Sequence, residues 1–533
     1  MTALQESYRP ADQSGEVLDT TVGQVLVDAV AEVPDTVALV EGVAASDRRR
    51  WTYRQLLQEA TGVARGLMAT TQPGERVAIW AGNSPEWVFV ELGAALAGVT
   101  LVTVNPALTA TEAEYVFRQS RCGVIIHDDE FRGGSLRDVV AGLAPELPEL
   151  RATFRLAALD QLIADGDPGT PLPEVDADSP AQLQYTSGTT GTPKGALLRH
   201  RSITNVARMT FDRAGIGPGS TYLTPLPLFH TAACCIGVLG PLSARGTLVL
   251  ISTFDPDVTL QLCAEEHVDA MGAVPTVFTA LLAHPEVTPT TAGMRTLIGG
   301  GAPVLTELIR RMEAGFGAQF INLFGQTELS PVATMVLPDD SPEDKAATVG
   351  TALPHVECKI VDPATGAVTP IGEQGEFCAR GFSTMIEYFD QPEATAETLS
   401  PDGWLRTGDL CTMDDRGYVT VTGRLKDMII RGGENVYPAE VEGVLLTHPG
   451  VADVAVVGVA DERWGEVVAA VVRPLGEQVP TADDLRTHAA EVLARHKIPT
   501  QWFVTDGFPL TGSGKVQKFM LRQQLEDGAL QPL

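Results

Sequence analysis

The chain has 533 residues, 44% of them apolar, and sets 38 basic against 68 acidic side chains for a formal charge of −30. That length exceeds what one hydrophobic core serves, so two or more domains are expected. The charge argues against nucleic acid and anionic membrane surfaces as partners, and a mean hydropathy near zero describes a soluble globular chain.

No run of about 18 uncharged apolar residues exists, so no membrane span is expected. The first residues lack the basic start and apolar stretch of a secretion signal, and the last four, Leu530-Gln531-Pro532-Leu533, carry no retention or peroxisomal signal. Seven cysteines (122, 234, 235, 263, 358, 378, 411) are scattered without a Cys-x-x-Cys. They read as free thiols in a reducing compartment, which points to the cytoplasm. The adjacent Cys234 and Cys235 sit in an apolar run and read as small hydrophobes.

In chain order, 76–81 is β-prone, Asn83-Ser84-Pro85 offers a cap residue and a proline at the first helical position, 86–98 is helical, and 100–104 is the next strand. Short buried strands follow at 123–127 and 248–252. Such alternation predicts an α/β layer with a parallel sheet. Residues 164–180, rich in Asp, Pro and Gly, read as a surface connector. From about 350 to 423 the strands shorten between turns such as Gly372-Glu373-Gln374-Gly375, which predicts a small all-β module. Beyond Gly423 the pattern changes again, with strands at 451–459, 467–472 and 502–505 and a helix at 483–495, enough for a small α+β domain.

The connector leads into Tyr185-Thr186-Ser187-Gly188-Thr189-Thr190-Gly191-Thr192-Pro193-Lys194-Gly195. Glycines let such a loop turn its N–H groups inward. Those groups, the hydroxyls and Lys194 form a nest for anionic oxygens. The loop is not a Walker A sequence, because Pro193 precedes the lysine and Gly195 follows it. Gly512-Ser513-Gly514-Lys515 fails the same pattern. A polyanion in a chain of charge −30 needs local positive charge and metal, so lysines and arginines inside motifs are informative.

Five further segments accompany the loop: Pro227-Leu228-Phe229-His230-Thr231, Gly299-Gly300-Gly301-Ala302-Pro303, Leu323-Phe324-Gly325-Gln326-Thr327-Glu328, Trp404-Leu405-Arg406-Thr407-Gly408-Asp409 and Thr511-Gly512-Ser513-Gly514-Lys515. The glycine triplet would let a flat ligand approach the backbone. Gly423-Arg424-Leu425-Lys426-Asp427 opens the last unit.

Together and in this order these segments resemble the adenylate-forming superfamily of acyl-CoA synthetases, peptide-synthetase adenylation domains and luciferases. The resemblance runs from about Val22 to Leu521 and is strongest to fatty-acyl-CoA synthetases. It implies an α/β fold: a large N-terminal domain (1–425) of two α/β subdomains and a distorted β-barrel, and a small mobile α+β domain (426–533), hinged at Lys426. It implies ATP, Mg²⁺ and coenzyme A, and an acid:CoA ligase that forms an acyl-AMP and then a thioester. The acid it implies is a medium- or long-chain fatty acid; an aryl- or other non-fatty carboxylate-CoA ligase and a stand-alone adenylation enzyme loading a carrier protein are the alternatives. Partners beyond the small molecules are not called for, although a homodimer is compatible with the sequence.

The resemblance also implies site residues. Thr186, Ser187, Gly188, Thr189, Thr190, Gly191 and Lys194 hold the β- and γ-phosphates. Thr327 bonds the α-phosphate and Glu328 coordinates Mg²⁺. Phe324 stacks on adenine, with Gly301, Ala302 and Pro303 along the base and Gly325 and Gln326 in the same nucleotide site. Asp409 and Arg424 bind the ribose. Lys515 is the catalytic residue of adenylation, although taken alone it would read as a solvated tail lysine. His230 orients the acid, whose carboxylate is already ionised and needs no general base. Gly432 and Gly433 leave room for pantetheine.

Overall fold

The computed structural model describes residues 3–533 except 46, 187–192, 286, 289–292, 302–303, 433, 477 and 511–515. The unit expected at 76–104 forms as strand Arg76–Trp80, helix Pro85–Leu96 and strand Thr100–Val104. Ser84 accepts from the Trp87 N–H as N-cap, and Pro85 takes the first position. The helix is buried along its whole length, so it carries no polar stripe. Its flanking strands pair in parallel, as a helical crossover requires.

These strands belong to a six-stranded sheet in the order Lys194–Arg199, Pro180–Thr186, Thr100–Val104, Arg76–Trp80, Val124–His127, Ala152–Arg155. Only the first pair is antiparallel. A second, nine-stranded sheet has a parallel centre of Gln319–Phe324, Thr296–Gly300, Ala270–Gly272, Thr221–Thr224, Thr247–Ile251 and Val37–Gly42. One apolar core, with Val77, Trp87, Leu250 and Ile321 among its members, spans both sheets.

The all-β stretch is a five-stranded antiparallel sheet, and its outer strand Tyr8–Arg9 comes from the far N-terminus. The last hundred or so residues build a further sheet around the hairpin of Val451–Asp461 and Gly465–Pro474, with its own core. The helix expected at 483–495 stops at Ala490. Val492 is 71% exposed, and Leu493 reaches the core from a turn. The apolar periodicity therefore outlasts the helix. The fold is α/β, with a large N-terminal part and a smaller α+β C-terminal part. Among the described residues no helix is long and apolar enough to cross a membrane.

Candidate active site

Both parallel sheets deliver motif residues at the carboxyl ends of their strands. Thr186 ends Pro180–Thr186, Phe324 ends Gln319–Phe324, Gly301 follows Thr296–Gly300, and Pro227 to His230 follow Thr221–Thr224. In open α/β sheets that edge carries the ligand crevice.

The glycine–threonine loop joins strands Pro180–Thr186 and Lys194–Arg199, with Thr186 opposite Lys194. Thr186 Oγ1 donates to the Lys194 carbonyl at 3.4 Å. The ladder thus fixes both stems, while Ser187, Gly188, Thr189, Thr190 and Gly191 lie outside the described residues. The Lys194 ammonium stands 4.9 Å from the centroid of the Tyr388 ring. Tyr388 in turn donates its hydroxyl to Glu328 Oε1 at 2.6 Å. Glu328 is buried within the single 3₁₀ turn Thr327–Leu329.

A second chain of contacts starts one residue before Thr327. Gln326 Nε2 donates to Asp409 Oδ2 at 2.6 Å and to the Thr407 carbonyl at 2.9 Å. Asp409 Oδ1 meets Arg424 Nε at 2.9 Å across directly paired antiparallel strands. The Asp409 side chain is 4% exposed and that of Arg424 47%, so a buried acceptor is paired with a cation that reaches solvent. Glu376 braces the strand before Asp409, taking Arg406 at 2.6 Å and the Gly408 N–H at 3.1 Å. Phe377 packs edge to face on Phe324 at 5.4 Å and fixes its tilt. Gly325 is required by packing, because a Cβ there would fall 1.7 Å from the Pro331 carbonyl oxygen.

His230 stands on a separate loop clamped by Asn83, which accepts from the Leu228 N–H at 2.8 Å and donates to the Leu226 carbonyl at 2.8 Å. Thr103 holds the same loop through the Phe229 carbonyl at 2.9 Å. The His230 Nδ1 accepts from the Ala232 N–H at 3.2 Å, which puts the proton of the neutral ring on Nε2. Lys426 lies exposed in the short turn Leu425–Asp427, and Gly432 follows strand Ile429–Arg431. Ala302, Pro303, Gly433 and Lys515 lie outside the described residues.

Two expectations change. The first glycines of the triplet do not make room for a ligand: a Cβ on Gly299 would lie 2.7 Å from the Phe320 ring and one on Gly300 2.6 Å from the Leu323 carbonyl oxygen. Close packing of neighbouring strands explains them. Cys234 and Cys235 are buried and free, but they are not purely apolar neighbours. Both thiols face Gln182 Oε1, at 3.4 and 3.5 Å, and Gln182 donates to the fully buried Glu91 at 2.7 Å. Burial pushes the Glu91 carboxyl well above the usual carboxylate range.

Sequence reasoning missed Tyr388, Glu376 and the clamping role of Asn83. Asn83 had a local explanation as part of a helix start, and nothing near Tyr388 or Glu376 in sequence marks them. Their partners are 60 residues away for Tyr388 and 143 for Asn83.

Residues 26–389 match the AMP-binding enzyme family, and residues 440–515 match the AMP-binding enzyme C-terminal domain. The chain belongs to the AMP-binding enzyme family. It is 37% identical to YngI of Bacillus subtilis strain 168, named as an acyl-CoA synthetase, over 96% of this chain and 98% of YngI. Against the mitochondrial medium-chain acyl-CoA ligase ACSF2 of Mus musculus it is 34% identical, covering 98% of this chain and 90% of that protein. ATP-bound MatB from Rhodopseudomonas palustris superposes with a TM-score of 0.87 at 31% identity, covering 96% of this chain and 99% of MatB. This AMP-binding enzyme is an AMP-forming acyl-CoA ligase: it uses ATP to convert a carboxylic acid to an acyl-AMP and passes the acyl group to coenzyme A.

The family uses Mg²⁺, and Glu328 fits that ion. A hard cation takes oxygen ligands and often only one or two carboxylates, with phosphates and water completing the shell. Among the described residues no cluster of three or more His, Cys, Asp or Glu suits a metal, and a single buried carboxylate linked through Tyr388 to Lys194 matches the pattern.

Proposed function

We propose that this AMP-binding enzyme activates a medium- or long-chain fatty acid. The apolar helix Ala232–Leu239, buried from Ala233 to Leu239, follows His230 directly and supports an aliphatic substrate. The likeness to a medium-chain acyl-CoA ligase supports the same reading.

A carboxylate is a poor acylating agent because its leaving group would be oxide. The first step is R–COO⁻ + ATP → R–CO–AMP + pyrophosphate, with a carboxylate oxygen attacking the α-phosphorus. Positioning and charge neutralisation carry such a step. Thr186, Ser187, Gly188, Thr189, Thr190, Gly191 and Lys194 hold the β- and γ-phosphates and escort pyrophosphate out. Thr327 bonds the α-phosphate, and Glu328 ligates the magnesium ion, which neutralises phosphate charge when bound. Phe324 stacks on adenine beside Gly325, Ala302 and Pro303, with Gly301 preceding them. Asp409 and Arg424 take the ribose hydroxyls, and Gln326 orients Asp409. His230 orients the acid. Lys515 bridges the substrate carboxylate and the α-phosphate as the two anions approach.

The second step is R–CO–AMP + CoA–SH → R–CO–S–CoA + AMP + H⁺. One lysine near the C-terminus cannot stay in place while the thiol reaches the carbonyl. The chain therefore divides at 425/426, and residues 426–533 rotate about Lys426 to bring Gly432 and Gly433 to the pantetheine channel. Separate cores on the two sides of that point favour this division. The free, buried thiols favour the cytoplasm.

The observation that carries the reading is the pair of contact chains that leave the 326–328 segment, one from Glu328 through Tyr388 to Lys194 and one from Gln326 through Asp409 to Arg424. Pyrophosphate release over straight-chain acids from C2 to C16 and over aryl acids, with and without coenzyme A, tests it. The proposal expects a maximum at C6 or longer and a thioester product. A preference for aryl or short acids would overturn the substrate, and adenylate without thioester would overturn the acceptor.

A further inference from the structure

We propose that Tyr388 is a positioning residue for ATP–magnesium, aligning the Glu328 carboxylate with its hydroxyl and the Lys194 ammonium with its ring. The inference rests on the roles proposed above for Glu328 and Lys194. Tyr388 is 6% exposed and is the common neighbour of both charged groups.

The backbone explains how it is held. Residues 385–389 lie along the outer side of strand Lys194–Arg199. The Leu197 N–H donates to the Glu387 carbonyl at 2.9 Å, the Ile386 N–H to the Leu197 carbonyl at 2.8 Å, and the Phe389 N–H to the Gly195 carbonyl at 2.8 Å. Tyr388 thus stands opposite Ala196, two residues from Lys194. At its other end the segment grips the metal-ligand turn, because the Met385 N–H donates to the Glu328 carbonyl at 2.8 Å. The Thr395 hydroxyl accepts from the Tyr388 N–H at 3.0 Å. One short segment therefore clasps the stem of the phosphate loop and the turn that carries Glu328.

The side chain suits both neighbours. Its hydroxyl is a neutral donor, so it fixes Glu328 Oε1 without cancelling the charge that a cation needs and leaves Oε2 for the metal. Its ring attracts an ammonium through the quadrupole without neutralising it. A cation and a carboxylate close to the same site would otherwise collapse into an ion pair with each other. A neutral aromatic engaging each of them keeps both available to the polyphosphate.

Titration calorimetry of ATP separates the two functions, run once with excess Mg²⁺ and once with EDTA. Tyr388→Phe keeps the ring and removes the hydroxyl. It is expected to bind ATP–magnesium about tenfold more weakly, the size of one hydrogen bond to a charged group, and metal-free ATP as before. The Mg²⁺ concentration for half-maximal pyrophosphate release should rise in parallel. Tyr388→Leu removes the ring as well and is expected to weaken metal-free ATP too. Thermal unfolding of Tyr388→Phe within a few degrees of the parent confirms that the comparison is between folded proteins. Equal losses for Tyr388→Phe with and without metal, or no loss with metal, would overturn the inference. Glu328→Gln separates the premise from the inference: if it loses its Mg²⁺ dependence while Tyr388→Phe keeps that of the parent, Glu328 stands and Tyr388 falls. If Glu328→Gln keeps full Mg²⁺ dependence, both fall.

Discussion

Gly432 donates its N–H to the Trp464 carbonyl at 2.7 Å, and a Cβ on Gly432 would stand 2.7 Å from Cε3 of the same tryptophan. Its φ is +63°, in the left-handed region. Trp464 is 41% exposed, so a methyl group at 432 would push an indole outward instead of breaking a core. The left-handed backbone adds about 1 kcal/mol for a non-glycine residue. Gly432→Ala is expected to raise the KM for coenzyme A about tenfold, in line with a tunnel narrowed by roughly 1.4 kcal/mol. Pyrophosphate release without coenzyme A should stay unchanged. Equal loss in both assays would remove Gly432 from the thiol path.

Asp409 is buried against Gln326 and Arg424. Asp409→Ala should weaken ATP binding by about a hundredfold, the loss of one or two hydrogen bonds to a charged acceptor. Calorimetry with ATP–magnesium and with the 2′,3′-dideoxy analogue provides the check. The parent should discriminate strongly between the two nucleotides, and the variant hardly at all. A variant that still discriminates places the ribose elsewhere.

Lys515→Ala should abolish pyrophosphate release, by about a thousandfold or more if the ammonium stabilises the transition state as an oxyanion donor does. Thioester formation from a supplied acyl-adenylate should be spared. Normal adenylate formation by the variant would refute the role.

Lys426→Pro stiffens the proposed hinge by fixing φ near −65°. Thioester formation should slow more than adenylate formation, and single-turnover measurement of the two half-reactions reads the ratio. Equal slowing counts against a hinge there.

His200 is fully buried and accepts the Val22 N–H on Nδ1. Desolvation lowers its pKa from 6.5 to about 4, so the folded ring stays neutral where the unfolded one would be charged. Its stabilisation is complete above pH 6.5 and is lost as the pH falls towards 4, about 3 kcal/mol in all. Thermal unfolding from pH 7 to 4 should therefore show a steeper fall for the parent than for His200→Gln. Parallel curves would mean that His200 is protonated or accessible in the fold.

Local chemistry made much of this readable. Ser84 and Pro85 mark a helix start by their own bonding habits, and the strand at 100–104 shows itself by a run of Thr, Leu and Val rich in β-branched residues. The glycine–threonine loop is legible because the role proposed for it depends on contiguous backbone N–H groups. The glycine triplet misled for the same reason: from sequence, room for a ligand and room for Phe320 look alike. Tyr388 was invisible because its meaning lies in two partners brought to it by strand pairing, not in its neighbours along the chain.

The sequence by itself determined the α/β class, the order of the motifs and the chemical type of each site residue, because these follow from periodicity and from functional groups close together in the chain. Tertiary structure alone decided which of them come into contact. Parallel pairing sets Thr186 and Phe324 each at the carboxyl end of a strand in its own sheet, antiparallel pairing sets Asp409 against Arg424, and residues 385–389 bring an otherwise ordinary tyrosine between a lysine and a glutamate. Such contacts cost chain entropy that only a formed core repays, so no short stretch of sequence can announce them.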